Sequence, residues 1–222
     1  ISDKSRIQQH TNKPPIGRER GTMKKIRMGV IGAGSIATKH IDGIVASPDA
    51  ELTAICDVDS TALDAKADQY GVDPAYRFTD YRALIDCPGV DAVSVCTSNH
   101  THYEIAKAVL LKKLPLLLEK PVALDYAQAE ELAMLAKEHT VPNMIAFSYR
   151  FIPAVRFARW LVQEGRLGKI LHIYGQYFQS WAISDELGLV WRFQKGLSGS
   201  GTLGDLGSHL IDLGRFVMGE YE

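Results

Sequence analysis

The chain has 222 residues, of which 46% are hydrophobic and 23% are charged. These ordinary values exclude collagen-like, low-complexity and wholly disordered classes. The 25 basic and 26 acidic residues give a formal net charge of −1, which favours neither nucleic acid nor an anionic membrane as a partner. Three cysteines are too few for a disulfide framework, and no ligand cluster predicts a metal site. We expect a cytoplasmic protein.

Residues 1–23 differ from the rest of the chain, because they hold few apolar residues and show no periodicity. They lack the apolar core of a secretory signal. We expect a disordered leader, or upstream sequence read through before a start at Met23. A functional basic arm is the alternative interpretation.

Between residues 24 and 147, short apolar runs alternate with amphipathic stretches. Such a pattern is typical of a parallel sheet covered by helices on both faces, and right-handed crossovers make it a doubly wound Rossmann sheet. We assign 24–147 to an NAD(P)-binding domain of this class. The predicted strands are 26–31, 51–57, 76–78, 91–96, 116–119 and 143–147, and the predicted helices are 35–46, 61–70, 81–85, 102–112 and 126–139.

Residues 148–222 have a different character. We predict helices at 153–164 and 202–218 and a Gly/Ser loop at 196–201. A longer, alternating run at 169–179 predicts a strand of an antiparallel sheet with one exposed face. One strand cannot form a sheet, so we expect an incomplete second α/β domain, or one whose partner strands lie on another chain.

A GxGxxA motif spans residues 32–37, directly after the first predicted strand. In this context Gly32 permits a tight turn, Gly34 allows the backbone to approach a pyrophosphate, and Ala37 allows close packing of the helix on the sheet. The backbone N–H groups of Ser35 and Ile36 are expected to face the phosphates. A glycine turn in a cofactor-free α/β protein is the alternative.

Asp57 ends the second predicted strand, 20 residues after Ala37, where an acidic residue binds the adenosine ribose. A carboxylate there repels a 2′-phosphate, and the next residue is Val58 rather than an arginine. We therefore favour NAD over NADP as the cofactor. Asp57 is alternatively a helix cap or a surface acid.

Further polar residues follow the next predicted strands, and ligands of open α/β sheets bind outside these strand ends. Lys120 is expected to project toward the nicotinamide, and Pro121 to follow a cis bond. The alternatives are a loop cap for Asn99, a helix-start residue for His102, and an exposed ion pair for Glu119 and Lys120. The cofactor-contact candidates here are Thr97, Asn99, His102, Glu119 and Lys120.

Asp205 and His209 are four residues apart and share a face of the last predicted helix. This segment also contains three glycines, which each cost about 1 kcal/mol relative to alanine in a helix and indicate a close backbone approach. Judged by composition alone, an aspartate and a histidine at this spacing more often form a hydrogen-bonded pair on the protein surface than a catalytic pair. Trp191 and Arg192 precede the glycine loop and are candidates for contact with a hydroxylated substrate, or for packing.

Taken together, these motifs resemble the Gfo/Idh/MocA oxidoreductases, named after glucose-fructose oxidoreductase, inositol dehydrogenase and a rhizopine-catabolism protein. The resemblance runs from about Lys25 to Gly219. Ser98 departs from it, since many relatives carry proline there. The matching segments are Gly32–Ala37, Cys56-Asp57, Thr97–His102, Glu119-Lys120-Pro121, Tyr149-Arg150-Phe151 and Gly199–Asp212.

The resemblance implies a Rossmann domain followed by an α/β domain with an open, mostly antiparallel sheet. It also implies that Lys120, Asp205 and His209 are catalytic and, with Arg192, bind substrate. Such enzymes oxidise a ring hydroxyl of a sugar, an inositol or a related polyol, or reduce the ketone. Family members are considerably longer, so we expect a C-terminally truncated chain. The missing sheet commonly mediates oligomerisation, which implies a homo-oligomer for the complete protein.

Two other functions are consistent with the same sequence. One is a non-catalytic, dinucleotide-sensing regulatory protein, although such a protein has no need of Lys120, Asp205 and His209 together. The other is an inactive fragment of the enzyme. The remaining histidines that we considered have no partner pattern, and we assign them no role: His10, His40, His139 and His172.

Overall fold

The computed structural model describes residues 24–220. The leader expected at residues 1–23 lies outside this range. In the described range no helix combines the length and the apolar character that a bilayer crossing requires.

Six parallel strands form one sheet, in the order β3-β2-β1-β4-β5-β6. Strands β1 and β4 are adjacent although β2, β3 and three helices lie between them in sequence, so the chain reverses its direction of travel across the sheet between them. This is the switch point at which open α/β sheets bind ligands. The strands are β1 (Ile26–Ile31), β2 (Ala50–Cys56), β3 (Arg77–Phe78), β4 (Ala92–Val95), β5 (Leu116–Leu118) and β6 (Asn143–Ile145).

Five helices cover the two faces of the sheet, and three more follow β6. Each predicted helix of the sheet domain is present, but the fourth begins three residues earlier than predicted, at Asn99. A π-helical turn at Leu203–Gly207 leads into the last helix. The helices are α1 (Ser35–Ala46), α2 (Ser60–Tyr70), α3 (Tyr81–Ile85), α4 (Asn99–Leu111), α5 (Tyr126–Glu138), α6 (Pro153–Gln163), α7 (Lys195–Ser198) and α8 (Ser208–Met218).

Two apolar clusters lie on opposite faces of the sheet. One contains Ala37 and Ile41 of α1 together with residues of α2, and the other contains residues of α3, α4 and α5. Every residue of β4 is buried. Burial on both faces explains the continuous apolar runs of the sequence and makes the sheet a rigid support for the loops at its carboxyl edge.

The strand predicted at residues 169–179 is not formed. These residues adopt neither helix nor strand, and within 24–220 no antiparallel sheet is present. An alternating sequence becomes a strand only through hydrogen bonds to a neighbouring strand, and the described part of the chain supplies none beside this segment. The predicted loop at 196–201 is also partly helical, since α7 ends at Ser198.

Candidate active site

A crevice of about 760 Å³ opens at the carboxyl edge of the sheet. Its walls are the loops after β1, β2, β4 and β5 on one side and the segments around α7 and α8 on the other. The sequence analysis proposed site residues in six separate segments, and the fold brings residues from all six to this one cavity. The predicted residues that line it are Gly32, Gly34, Ser35, Ile36, Asp57, Thr97, Asn99, Glu119, Lys120, Arg192, Asp205 and His209.

The glycine motif forms the turn between β1 and α1. Gly32 has a φ of +100°, and a Cβ there would lie 2.7 Å from the carbonyl carbon and oxygen of Cys96. At Gly34 a Cβ would meet no described atom within 4 Å. No side chain of residues 24–220 caps α1, so the N–H groups at Ser35 and Ile36 remain free for an anion. Ala37 is fully buried beneath them, against the sheet.

Asp57 is oriented by the backbone of both neighbouring loops. Its Oδ2 accepts from the N–H of Ala33 at 2.6 Å, and its Oδ1 accepts from the N–H of Asp59 at 2.9 Å. Each carboxylate oxygen has two lone pairs, so each retains one for a ribose hydroxyl. The capless helix, the open approach at Gly34 and this oriented carboxylate fit a dinucleotide.

The loop after β4 divides its polar groups between the crevice and the protein interior. Thr97 lines the crevice, where its Oγ1 accepts from the Oγ1 of Thr101 at 2.8 Å. Asn99 also lines it, but its Nδ2 donates to the carbonyl of Ser198 at 3.0 Å and ties this loop to α7. Asn99 thus joins the two halves of the site rather than capping its own helix.

The structure places His102 beneath the crevice rather than on its wall. Only 1% of its surface is exposed. Its Nδ1 lies 2.7 Å from the carbonyl of Pro121, and its Nε2 lies 3.1 Å from the carbonyl of Thr97. Burial lowers the pKa of this imidazole. Because α4 begins at Asn99, His102 lies one turn inside the helix, where it connects two loops instead of reaching a cofactor.

Glu119 is a buried acid with two partners, not an exposed ion pair. Its Oε1 accepts from Nε2 of His40 at 2.9 Å, and its Oε2 accepts from the backbone N–H of Lys120 at 3.0 Å. Nδ1 of His40 in turn lies 2.8 Å from the hydroxyl of Ser94. Sequence reasoning missed His40, because its partners are 54 and 79 residues away.

Lys120 reaches from the sheet into the second part of the chain. Its Nζ donates to Oδ1 of Asp205 at 2.5 Å and to the backbone carbonyl of Asp205 at 3.1 Å. Nε of Arg192 lies 3.7 Å from the other oxygen, Oδ2, of the same carboxylate. The peptide bond between Lys120 and Pro121 is cis, as predicted. The hydrogen bonds of the described residues therefore join Asp205 to Lys120 and not to His209.

His209 lines the crevice but is 7% exposed. Its ring stacks on Tyr149 with 4.3 Å between centroids, and its Nδ1 is buried without a hydrogen-bond partner in the described range. Burial and the nearby Lys120 ammonium lower the pKa of this imidazole. His209 is therefore neutral at pH 7 and has a nitrogen that is able to accept a proton.

Tyr149 is a second site residue without an assigned role in the sequence reasoning. It lines the crevice, and its hydroxyl is hydrogen bonded to that of Tyr177. That bond, with burial, raises the pKa of Tyr149 to about 12. The adjacent Arg150 forms a bidentate pair with buried Asp212 of α8, which holds the start of the second part of the chain against the last helix.

Comparisons with known proteins agree with this architecture. Residues 26–147 match the model of an oxidoreductase family with an NAD-binding Rossmann fold. Residues 155–222 match the GFO/IDH/MocA C-terminal domain.

Individual relatives match over most of this chain. Levoglucosan dehydrogenase of Pseudarthrobacter phenanthrenivorans is 33% identical over 90% of this chain and 53% of its own length. Myo-inositol 2-dehydrogenase of Thermotoga maritima is 35% identical over 65% of this chain and 42% of its own. A levoglucosan dehydrogenase structure in complex with NADH and levoglucosan superposes with a TM-score of 0.84 at 31% identity, covering 89% of this chain and 55% of that one.

The chain thus spans about half the length of the curated relatives it matches. One family model covers the whole described Rossmann sheet, and a second covers most of the remainder. The glycine turn, Asp57, Glu119 and Lys120 all contribute to the walls of one crevice in that fold. The chain belongs to the Gfo/Idh/MocA family of oxidoreductases.

Proposed function

We propose that this protein is an NAD-dependent dehydrogenase that transfers a hydride between the nicotinamide and a ring hydroxyl or ketone of a sugar, an inositol or a related polyol. One observation carries the proposal. A neutral imidazole, a lysine ammonium and a carboxylate share one crevice with a glycine turn suited to a dinucleotide. Cofactor binding is assigned to residues 24–147 and substrate binding to a domain that begins at residue 148.

His209 is the proposed general base in the oxidative direction. When bound, the nicotinamide supplies the hydride acceptor. His209 takes the proton of the reacting hydroxyl, since its low pKa leaves it uncharged at neutral pH. Positioned proton transfer of this kind contributes roughly 10²–10⁴-fold to a rate. The stacked ring of Tyr149 fixes the plane of the imidazole.

Lys120 is the proposed electrostatic partner of the reacting oxygen. Its ammonium has three N–H donors, and Asp205 accepts two of them through its carboxylate and its carbonyl. The third remains for the substrate oxygen, where it stabilises the negative charge that develops as the proton leaves. Asp205 therefore acts by aiming the ammonium, and Arg192 stands beside it as a further substrate donor.

Asp57 supports NAD as the preferred cofactor. Both of its oxygens are already directed by backbone N–H groups, so the carboxylate cannot readily turn away from a 2′-phosphate. The relatives named above act on levoglucosan and myo-inositol, which supports a ring polyol as the substrate class. A homo-oligomeric complete protein remains part of the proposal.

A binding titration followed by a substrate screen tests the proposal. Trp181 and Trp191 line the crevice, so energy transfer from tryptophan reports bound NADH and NADPH. We expect saturable binding with NADH preferred, and NADH formation from NAD with at least one sugar or inositol of a panel. A cooperatively folded chain that binds neither dinucleotide contradicts the cofactor assignment. Binding without turnover of any panel member favours the dinucleotide sensor or the inactive fragment over an active dehydrogenase.

A further inference from the structure

A chain of largely buried polar groups extends from the floor of the crevice into the protein, and both of its ends, Cys96 and Glu119, line the crevice. It begins at Cys96, passes through Ser94 of β4 and His40 of α1, and ends at Glu119 after β5. Sγ of Cys96 lies 3.7 Å from the Ser94 hydroxyl, which lies 2.8 Å from Nδ1 of His40. Nε2 of His40 then donates to Glu119 at 2.9 Å. The side chains of His40 and Glu119 are only 8% and 12% exposed, so water does not replace these contacts.

The partners of His40 favour its charged form. A carboxylate accepts only, so Nε2 carries a proton toward Glu119. When Nδ1 is also protonated it donates to the Ser94 hydroxyl, which then donates to Cys96, and every group in the chain has a partner. Burial alone lowers the pKa of His40, but the neighbouring Cys96 and Glu119 outweigh it and raise the pKa to about 10.

Glu119 transmits this contact to the catalytic segment. The oxygen that does not face His40 accepts from the backbone N–H of Lys120 at 3.0 Å. A carboxylate released from His40 is free to rotate, and the Lys120 N–H then loses its acceptor. His40 lies in the second turn of α1, whose capless N-terminus faces the crevice, so one side chain connects the anion-binding helix with the backbone of Lys120.

We propose that His40 is a positioning residue for Lys120: it holds the Glu119 carboxylate, which fixes the backbone from which the Lys120 ammonium reaches Asp205. This role rests on the proposed function, because it gives Lys120 a part in the chemistry. A merely structural ion pair stabilises the fold without controlling Lys120. The two roles differ in what happens at the Lys120 N–H and in whether a neutral hydrogen-bond donor restores it.

Amide NMR of the 222-residue chain tests the proposal without turnover. The variants are H40A, which removes the donor, H40Q, which retains an N–H donor for Glu119, and H172A, which removes an exposed histidine elsewhere. In H40A we expect the Lys120 amide signal to move upfield and its hydrogen exchange to become roughly tenfold faster, the equivalent of one lost hydrogen bond. H40Q returns both toward wild type, and H172A leaves them unchanged.

An unchanged Lys120 amide signal in folded H40A overturns the proposal, as does an H40Q variant that behaves like H40A. If H40A does not fold, E119Q decides the matter through the titration of the His40 imidazole. The groups facing that imidazole are Cys96 and Glu119, so the neutral amide is expected to lower the midpoint of His40. An unchanged midpoint overturns the proposal.

Kinetics then connect the contact to catalysis. With any sugar that the wild-type chain oxidises, H40A is expected to lower kcat roughly tenfold with little change in KM, and H40Q to recover most of the loss. A loss confined to KM contradicts a positioning role. If the wild-type chain oxidises no sugar, the result counts against the proposed function of this chain, while the Lys120 amide signal still decides whether His40 positions that residue.

Discussion

The Lys120 ammonium lies 2.5 Å from the Asp205 carboxylate, although the two residues are 85 positions apart. Their pairing joins the edge of the Rossmann sheet to the π-helical turn before α8. It also places opposite charges beside His209. The two charges act on the pKa of His209 with opposite signs, since Lys120 lowers it and Asp205 raises it.

We therefore predict opposite shifts of the His209 pKa in two variants. K120M removes a cation and is expected to raise the pKa by roughly one unit, while D205N removes an anion and is expected to lower it. Histidine-labelled NMR titration measures both midpoints. D42N is the control, because it alters a carboxylate that is hydrogen bonded to Tyr70, and it is expected to leave the pKa of His209 unchanged. Shifts of the same sign in K120M and D205N contradict the arrangement.

The two glycines of the cofactor turn are expected to respond differently to alanine. G32A places a Cβ at φ +100° and 2.7 Å from the Cys96 carbonyl, so it costs about 1–2 kcal/mol for the backbone alone and more for the clash. We expect Tm to fall by roughly 4 °C or more. G34A meets open space, so Tm is retained while NADH affinity falls. Thermal melts and NADH titrations of both variants check this, and equal Tm losses would contradict it.

Local sequence patterns predicted the sheet well, because the buried strands and the turn at Gly32 depend on neighbouring residues. The strand at β1 and the helix at α1 have the predicted bounds. Contacts between residues that are far apart in the sequence were not predictable. The pairing of His40 with Glu119, and of Tyr149 with Tyr177, depends on which loops meet at the sheet edge, and residue spacing does not encode that.

The failed prediction at residues 169–179 has a different cause. The alternation of apolar and polar residues indicates which face of a strand would be buried, but it does not supply the partner strand. Phe178 and Tyr174 of this segment remain 81% and 74% exposed, as an alternating segment does when no sheet forms beside it. A strand is a property of a pair of segments, whereas a helix such as α6 closes its hydrogen bonds within itself.

Substitution of Asp57 is expected to weaken cofactor binding, whereas substitution of the nearby Asp59 is expected to lower stability. D57A removes the carboxylate that lines the crevice, so we expect NADH affinity to fall roughly tenfold, the value of one or two ribose hydrogen bonds. Discrimination against NADPH falls with it. D59A removes the N-cap of α2 and is expected to cost about 1 kcal/mol of stability with NADH affinity retained. A D57A chain that binds NADH as wild type does would remove Asp57 from the ribose site.

His209 is expected to act in chemistry rather than in binding. H209A should lower kcat roughly 10²–10⁴-fold while the Kd for NADH stays near the wild-type value. Steady-state kinetics with an accepted sugar and NADH titration measure the two quantities. H172A, at an exposed position, serves as the control. A wild-type kcat in H209A would remove this imidazole from the reaction.

The buried pair of His40 and Glu119 gives the fold a dependence on pH in the alkaline range. The pKa of His40 is about 10 in the folded chain, against an ordinary value near 6.5. Between these values the folded state holds more protons than the unfolded state, so stability falls as pH rises. The contribution is present in full below about pH 6.5 and is lost as pH passes about 10.

Melting the wild-type chain beside H40Q from about pH 6 to about pH 10.5 isolates this contribution, because the other groups titrate in both proteins. We expect the difference in Tm to be largest near pH 6 and to shrink steadily toward pH 10. A difference that is constant across the range means that His40 is neutral when folded. Nε2 would then still donate to Glu119, but the attraction between an imidazolium and a carboxylate would not contribute to holding the Lys120 segment.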